Sequence, residues 1–180
     1  MLPADFSSTQ SYDAPPGYGT FTNCAQVAVV EVDPRTGFVK ILRYLIVEDC
    51  GRMINPLIVD GQSVGGVVQG IGAALLEEVV YDESGQPITA SLMDYLIPSA
   101  TDVPAVTVVH LERPSPTTLG GYKGVGEGGT IGAPAAIANA VADALARAAP
   151  GPEASAGTAR LDVCELPLTP ERVLRLLQNR

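Results

Sequence analysis

Residues 55–80 read NPLIVDGQSVGGVVQGIGAALLEEVV, and this stretch determines one layer of the fold. Asparagine is a good N-cap and proline is favoured at the first helical position, so a helix is predicted from Pro56 to about Val80. Its apolar residues recur at helical spacing, which predicts a face that packs into a core. This predicted core stripe consists of Val64, Val67, Val68, Ile71, Leu75 and Val79.

The opposite face of the same helix is rich in glycine and glutamine. Its residues are Gln62, Gly65, Gly66, Gln69, Gly72 and Ala73. Each glycine inside a helix costs about 1 kcal/mol relative to alanine, so several of them need a reason. Either another backbone packs tightly against this face, or a bulky ligand lies on it and the glutamine amides supply paired donors and acceptors. Both explanations can hold together.

Strand-like segments lie on both sides of this helix. They cover residues 25–32, 38–47, 88–96 and 105–111. The first two are separated by Asp33-Pro34-Arg35-Thr36-Gly37, which is typical of a turn, so a hairpin is expected. With a second long helix further along the chain, the pattern predicts an α+β fold in which a mixed, mainly antiparallel sheet is covered by two long helices.

The second long helix is expected over residues 134–148, with Ile137, Val141 and Leu145 on its inner face. A short amphipathic helix is expected after Thr169. Residues 1–22 lack periodicity and predict an extended arm, so the globular domain is placed at 23–180, with a flexible linker at 151–157.

A glycine-rich loop precedes the second helix and reads GGYKGVGEGGTIG, residues 120–132. It satisfies GxGxxG, but no strand runs directly into it, which argues against a nicotinamide-dinucleotide site. The loop ends at a helix N-terminus, where free N–H groups favour anions. Glu127 is the carboxylate inside this loop. Its side chain is either solvent-exposed without a catalytic role or positioned for proton transfer.

Composition excludes several classes of function. The formal net charge is −9, with 20 acidic and 11 basic residues, which disfavours nucleic-acid and anionic-membrane binding. The first residues lack a signal-peptide pattern, so a cytoplasmic location is expected. The cysteines, Cys24, Cys50 and Cys164, form no CxxC motif and predict free thiols rather than a metal site. His110 is the single histidine and is interpreted as a surface residue.

Two ordered motifs carry a resemblance to a known family: GQSVGGVVQGIG at residues 61–72 and GVGEGG at 124–129. They resemble the molybdopterin-binding large subunit of the molybdenum hydroxylases, the family of xanthine dehydrogenase, aldehyde oxidase and carbon monoxide dehydrogenase. The segments VEDCGRMINP, LLEEVVYDESGQ, SLMDYLIPSA and LPLTPERV agree with it. The resemblance extends from about Thr22 to Arg180, is closest in style to the bacterial carbon monoxide dehydrogenase branch, and implies the C-terminal portion of that subunit.

The resemblance implies a role for each candidate residue. Glu127 matches the family glutamate that deprotonates a molybdenum-bound hydroxyl during oxidative hydroxylation of an aldehyde, an N-heterocycle or a similar small substrate. Gln62 matches a glutamine that hydrogen-bonds the pterin. The remaining implied cofactor contacts are Gln69, Gly124, Val125, Gly126 and Gly128.

The resemblance also implies cofactors and partners. The cofactor is molybdopterin with molybdenum, usually in its cytosine dinucleotide form in the bacterial branch, and it is shared with the N-terminal part of the large subunit. FAD and [2Fe-2S] clusters reside on partner subunits. Because family large subunits are several times longer than 180 residues, this chain alone is expected to be inactive. The alternative is a non-catalytic scaffold or assembly module that keeps only the fold.

Overall fold

The computed structural model describes residues 8–11, 13, 20–148, 163 and 165–178. Its elements, in chain order, are β1 (Asn23–Val32), β2 (Val39–Asp49), α1 (Pro56–Leu75), β3 (Val106–His110), a short 3-10 helix (Leu119–Gly121), α2 (Gly128–Arg147) and α3 (Pro170–Gln178). Most of the predicted arm, the whole predicted linker at 151–157, and Cys164 lie outside the described residues.

The three strands form one mixed sheet in the order β1-β2-β3. β1 and β2 are antiparallel and are joined by the predicted turn, in which the Gly37 N–H donates to the Asp33 carbonyl over 2.8 Å. β2 and β3 are parallel, and their register places Glu48 beside His110. The connection between β2 and β3 contains α1, as a parallel pair requires a crossover. The predicted α+β class with a mixed sheet is confirmed.

Both long helices cover the same face of the sheet, and the core lies between the two layers. Fully burying one valine, leucine or isoleucine side chain contributes roughly 1.5–3 kcal/mol, so this layer holds the fold together. The buried apolar residues of this core include Tyr44, Ile46, Val67, Ile71, Ile137, Val141, Leu145 and Val173. The three residues predicted for the inner face of the second helix are all among them.

The core stripe of α1 is shorter than predicted. Val67, Ile71 and Leu75 are buried, but Val79 is exposed because α1 ends at Leu75 rather than near Val80. The Gly72 carbonyl accepts from the N–H groups of both Leu76 and Glu77, which closes the last turn.

The predicted strand over residues 88–96 is wrong. The N–H groups of Asp94 and Tyr95 donate to the Ser91 carbonyl, and the Ser91 hydroxyl donates to the Asp94 carboxylate over 2.9 Å. Such local hydrogen bonds from serine and aspartate offer the backbone an alternative to a sheet ladder. Leu92 and Met93 are consequently exposed on a turn.

The second helix begins earlier than predicted, at Gly128, so that Pro134 lies inside it. The reason is its crossing with α1. A Cβ added at Gly66 would lie 2.8 Å from the Cα of Gly129, and a Cβ added at Gly70 would lie 2.3 Å from the Cβ of Ala133. The Thr130 hydroxyl also donates to the Gly66 carbonyl over 3.0 Å. Backbone contact with α1 therefore holds the glycine run in a helical conformation despite its weak propensity.

Candidate functional site

The start of α2 presents Glu127 to solvent. Glu127 occupies the N-cap position, and its carbonyl accepts from the N–H groups of Thr130 and Ile131, but its side chain makes no capping hydrogen bond. The side chain is exposed. A carboxylate in this position is free for proton transfer, because no intramolecular partner competes for its oxygens within the first turn.

The glutamine-bearing face of α1 meets the glycine-rich loop next to Glu127. The Gln62 amide donates to the Gly126 carbonyl over 3.0 Å. This bond brings two of the predicted cofactor contacts into one place and sets Glu127 beside α1. Gln69 is exposed two turns further along the helix, and no hydrogen bond joins it to the loop in the described part of the chain.

Two explanations were considered for the glycine–glutamine face of α1, which are backbone packing and ligand binding. Each applies to a different part of this face. Gly66 is buried against α2, and a Cβ added at Gly72 would meet the Glu77 carboxylate, so these two glycines serve packing within the chain. By contrast, Gln62, Gly65, Gln69 and Ala73 are exposed. A Cβ added at Gly65 meets nothing within 4 Å. Only the exposed part of this face is open to a ligand.

The glycines of the loop divide in the same way. A Cβ added at Gly124 or Gly126 meets nothing within 4 Å, whereas one added at Gly128 would lie 1.7 Å from a carboxylate oxygen of Glu48. Gly128 is thus required to be glycine by a neighbour inside the chain. Val125 is half-buried between the two open glycines.

A buried ion pair anchors the loop to the end of β2. The Lys123 ammonium donates to Asp49 Oδ2 over 2.9 Å, and the two side chains are 11% and 9% exposed. Burial alone would raise the pKa of Asp49, but hydrogen bonds from Lys123 and from the N–H groups of Gly51 and Arg113 hold that pKa below its ordinary value. The loop before Glu127 is therefore fixed by charge as well as by backbone contacts.

Removing the Asp49 charge is expected to destabilise this anchor. Asp49→Asn leaves the Lys123 ammonium buried without a counter-charge, so the free energy of unfolding at neutral pH should fall by about 3 kcal/mol. The depressed pKa of Asp49 means that its contribution is present above 3.8 and is lost as the pH falls through the lower folded value. Denaturant unfolding between pH 7 and pH 2 measures both effects.

The exposed pair Arg147–Asp143 supplies the control, since both side chains are more than half exposed. Asp143→Asn should change the free energy of unfolding by less than about 0.5 kcal/mol. Equal effects of the two substitutions at neutral pH would show that the Lys123–Asp49 pair does not anchor the loop.

Gln26 on β1 holds the first turn of α2 from the other side. Its amide nitrogen donates to the carbonyls of Gly128 and Gly129 over 2.9 and 3.1 Å, and its amide oxygen accepts from the Tyr44 hydroxyl over 2.5 Å. Burial, and then the nearby Cys24, raise the pKa of Tyr44, so the hydroxyl remains a donor. The start of α2 is consequently fixed by β1, β2 and α1 together.

Sequence reasoning did not identify the supporting residues Gln26, Glu48, Asp49 and Ser63. Glu48 and Ser63 are fully buried, although polar residues in a strand and a helix resemble surface positions in sequence. One available signal was VEDCG, where two acids end an apolar strand and precede Gly51. Gly51 adopts φ of 72°, and a Cβ there would lie 2.3 Å from the Gly121 carbonyl oxygen.

His110, Cys24 and Cys50 lie beside this region. A ring nitrogen of His110 is 2.7 Å from Asp60 Oδ1, and its side chain is 14% exposed, so the surface interpretation of His110 is wrong. Cys24 is half-buried, Cys50 is buried, and both are free thiols. Burial, and then the charge of Glu48, raise the pKa of Cys50.

The described helices were also compared with the length and hydropathy of a membrane span. None of them, among the residues that the structure describes, combines the length and the apolar character that such a span needs.

Comparisons with known proteins agree on one family. A family model described as a molybdopterin cofactor-binding domain matches residues 3–104, a range that includes α1 and ends before the glycine-rich loop. The nicotine 6-hydroxylase large subunit of Paenarthrobacter nicotinovorans is 48% identical over 155 residues, which are 86% of this chain and 18% of that protein.

Solved structures give the same result. Quinoline 2-oxidoreductase from Pseudomonas putida 86 superposes with a TM-score of 0.78 at 48% identity, over 88% of this chain and 19% of that one. Carbon monoxide dehydrogenase from Oligotropha carboxidovorans superposes with a TM-score of 0.76 at 31% identity, over 88% of this chain and 18% of that one. The chain thus spans about a fifth of the length of these relatives. Because the family model matches more than half of its residues, the protein belongs to the molybdopterin cofactor-binding domain family, which includes the large subunits of molybdenum hydroxylases.

Proposed function

We propose that this chain is part of a molybdenum hydroxylase-type oxidoreductase, to which it contributes the catalytic base and one wall of the molybdopterin cleft. The reaction is the oxidative hydroxylation of an aldehyde, an N-heterocycle or a similar small substrate. One observation supports the proposal. The exposed carboxylate of Glu127 lies at the N-terminus of α2, and the residue before it, Gly126, accepts a hydrogen bond from Gln62 on α1.

The residues around Glu127 fit a large, partly anionic cofactor. Gly65, Gly124 and Gly126 have open space where a side chain would stand, so nothing in the described chain requires glycine there. A ring system lying against the backbone would require it. The α2 N-terminus favours phosphate groups, and the Gln62 amide suits the hydrogen-bonding edge of a pterin. We assign Gln62, Gln69, Gly124, Val125, Gly126 and the Gly128 backbone to this contact.

The chemistry of the chain's own residues centres on proton transfer. The molybdopterin cofactor, when bound, supplies the two-electron redox chemistry. Glu127 accepts the proton that is released as the substrate is hydroxylated, and its exposed carboxylate has no capping bond to break first. Gln62 and the Lys123–Asp49 pair hold the residues before Glu127, which limits the movement of the base relative to α1.

The substrate class is narrowed by the relatives. The nicotine 6-hydroxylase subunit and quinoline 2-oxidoreductase are 48% identical to this chain, and both are named for N-heterocyclic compounds. Carbon monoxide dehydrogenase is 31% identical. The higher identity to the two proteins named for N-heterocycles favours an N-heterocycle over an aldehyde as the substrate. The dinucleotide form of the cofactor is proposed to be molybdopterin cytosine dinucleotide.

The proposed partners are the N-terminal part of the large subunit and the subunits that carry FAD and [2Fe-2S] clusters, in a cytoplasmic complex. Support comes from the surface of the chain. Ile54, Leu57 and Ile58 at the start of α1 and Leu92 and Met93 on the turn are between 65% and 89% exposed. Clusters of large exposed apolar residues mark protein–protein contacts. The further length of the relatives provides the segments that would cover them.

The test compares the 180-residue chain with the same chain co-expressed with the rest of its large subunit. We expect molybdenum content near one atom per complex and dye-coupled oxidation of an N-heterocycle in the co-expressed sample, and neither in the chain alone. Stoichiometric metal with turnover in the chain alone would contradict the shared cleft. A lone apo dimer that binds no large-subunit segment would instead identify a scaffold.

A further inference from the structure

The first half of β2 has a neighbouring strand on one side only. β1 pairs with β2 from Val39 to Asp49, apart from a bulge at Leu42. β3 pairs only with residues 44–48 of β2. On the β3 side, no strand in the described part of the chain pairs with residues 39–43. Successive strand residues direct their N–H and C=O groups alternately to the two edges, so every second residue of this segment presents both groups at an open edge.

The segment before β3 turns away from this edge. Pro104 has no N–H to donate to a ladder, so pairing with β2 stops near it. Before Pro104, the Asp102 N–H donates to the Ser99 carbonyl over 3.0 Å, and the Asp102 carboxylate accepts from the Ser99 N–H over 2.8 Å. The bulge at Leu42 also interrupts β2 two residues before its first pair with β3. These local features leave the edge without a third strand.

An apolar cavity of about 620 Å³ lies beside the open edge. It is bounded by the first half of β2, the segment before β3, the end of α1 and the start of α3. The cavity reaches the hydrophobic core at Val39, Ile41 and Leu75. These are the core residues that retain the most exposure, at 9%, 7% and 9%. Phe38 and Leu42 also line it and are 56% and 46% exposed. The core is therefore incompletely covered at this end of the domain.

We propose that this groove, defined as the cavity together with the open edge of β2 at residues 39–43, binds an extended segment from the part of the large subunit outside this chain. The segment adds a strand beside β2. Its backbone bonds to the open edge, and its alternate apolar side chains enter the cavity. The inference rests on the proposed assembly with the rest of the large subunit. This chain covers 18% of the nicotine 6-hydroxylase large subunit, so ample further sequence is available in such a protein.

An added strand accounts for both features of the groove. A small apolar molecule would fit the volume of the cavity, but it would leave the N–H and C=O groups of the open edge without partners. A second copy of this chain is disfavoured by the edge itself. The edge is short, interrupted by the bulge, and flanked by the exposed Lys40, and these features discourage indiscriminate pairing between edges. A segment that is specific for the groove meets neither difficulty.

Residue-resolved hydrogen exchange on the co-expressed complex tests the pairing. Within residues 39–43, one set of alternate amides faces β1 and the other set faces the open edge. In the complex, the open-edge amides should exchange as slowly as those of residues 44–48, which lie between two strands. They should also exchange roughly 10²-fold more slowly than in the 180-residue chain alone, because only the complex supplies their acceptors.

Charged substitutions on the two walls of the groove test the docking itself. Leu42→Asp alters the β2 wall and Ala105→Glu the opposite wall, and both positions are exposed, so the fold of the chain should be retained. Each should lower recovery of the co-expressed large-subunit segment by roughly tenfold or more, as loss of a central interface contact does. Val29→Asp is the matched control, since Val29 is 47% exposed but does not line the groove. Its recovery should stay within about twofold of the wild type.

The outcomes distinguish this inference from the proposed function. A complex with molybdenum and turnover whose open-edge amides exchange as fast as in the chain alone would overturn the inference and leave the proposed function intact. Equal losses in Leu42→Asp and Val29→Asp would overturn it too, and Ala105→Glu replaces Leu42→Asp in this comparison if the latter fails to fold.

Two further results would identify another occupant and reject the added strand. Slow open-edge amides in the chain alone would show that residues of this chain or of a second copy fill the groove. An apolar molecule retained in native mass spectra, with fast open-edge amides, would show a ligand site. If the wild-type chain recovers no large-subunit segment, the proposed function fails and this inference fails with it.

Discussion

Glu127→Gln is expected to lower turnover of the assembled enzyme by roughly 10²–10⁴-fold, the range associated with general acid–base catalysis. The substitution removes the basic carboxylate and preserves its volume. Because the Glu127 side chain is exposed and makes no capping hydrogen bond, the start of α2 should not change. Molybdenum and pterin content should therefore equal those of the wild type. Steady-state oxidation with an artificial electron acceptor, together with metal analysis, measures both quantities.

The matched control for this substitution is Glu83→Gln. Glu83 is also exposed, but it lies on the turn after α1, away from the glycine-rich loop. Its replacement removes one surface charge without touching the proposed cleft, so turnover should stay within about twofold of the wild type. Equal turnover in both variants would remove Glu127 from the mechanism, whereas loss of metal in Glu127→Gln would assign it to cofactor binding instead.

The second large effect is expected at the crossing of α1 and α2. Gly66→Ala would place a Cβ 2.8 Å from both the Cα of Gly129 and the nitrogen of Thr130, and backbone atoms cannot move aside by rotation about side-chain bonds. The helices would have to separate, at a cost of about 3 kcal/mol or more in the free energy of unfolding. Separation also moves Glu127 relative to Gln62. We therefore expect reduced molybdenum occupancy along with a lower unfolding midpoint in denaturant.

Gly61→Ala provides the comparison on the same helix. A Cβ at Gly61 meets nothing within 4 Å, so the change should stabilise α1 by about 1 kcal/mol through helix propensity. Opposite signs for the two alanine variants would establish that Gly66 is retained for contact with α2. If Gly66→Ala unfolds at the same denaturant concentration as Gly61→Ala, the crossing is looser than the structure indicates.

Local sequence patterns predicted the elements whose signals are strong. The hairpin of β1 and β2, the start of α1 at Pro56 and the buried face of α2 all follow from turn chemistry, capping and periodicity. The pattern failed where a tertiary contact or a local side-chain hydrogen bond competes with propensity. α2 begins at Gly128 because α1 holds the glycine run, and residues 88–96 form turns because Ser91 bonds locally.

The candidate site likewise contains residues that the sequence predicted and residues that it did not. Gln62 and Glu127 were predicted from motifs, and the structure brings their segments together through Gly126. The residues that hold them were not predicted, because Glu48, Ser63 and Asp49 gain their roles from partners distant in sequence. Lys123 lies four residues before Glu127 in the sequence, which gives no sign of its partner. Its pairing with Asp49 depends on how β2 and the loop meet in space.

The glycine crossing of α1 and α2 has an evolutionary consequence. A contact made by a side chain can be changed by substituting that side chain. Gly66, Gly70 and Gly129 have no side chain, and a Cβ at any of them would lie too close to a neighbouring atom. No conservative replacement exists at such positions, because every other residue would add a side chain where there is no space. Substitutions that change the shape of the proposed cleft are therefore expected in segments outside this crossing, where side chains rather than backbone make the contacts.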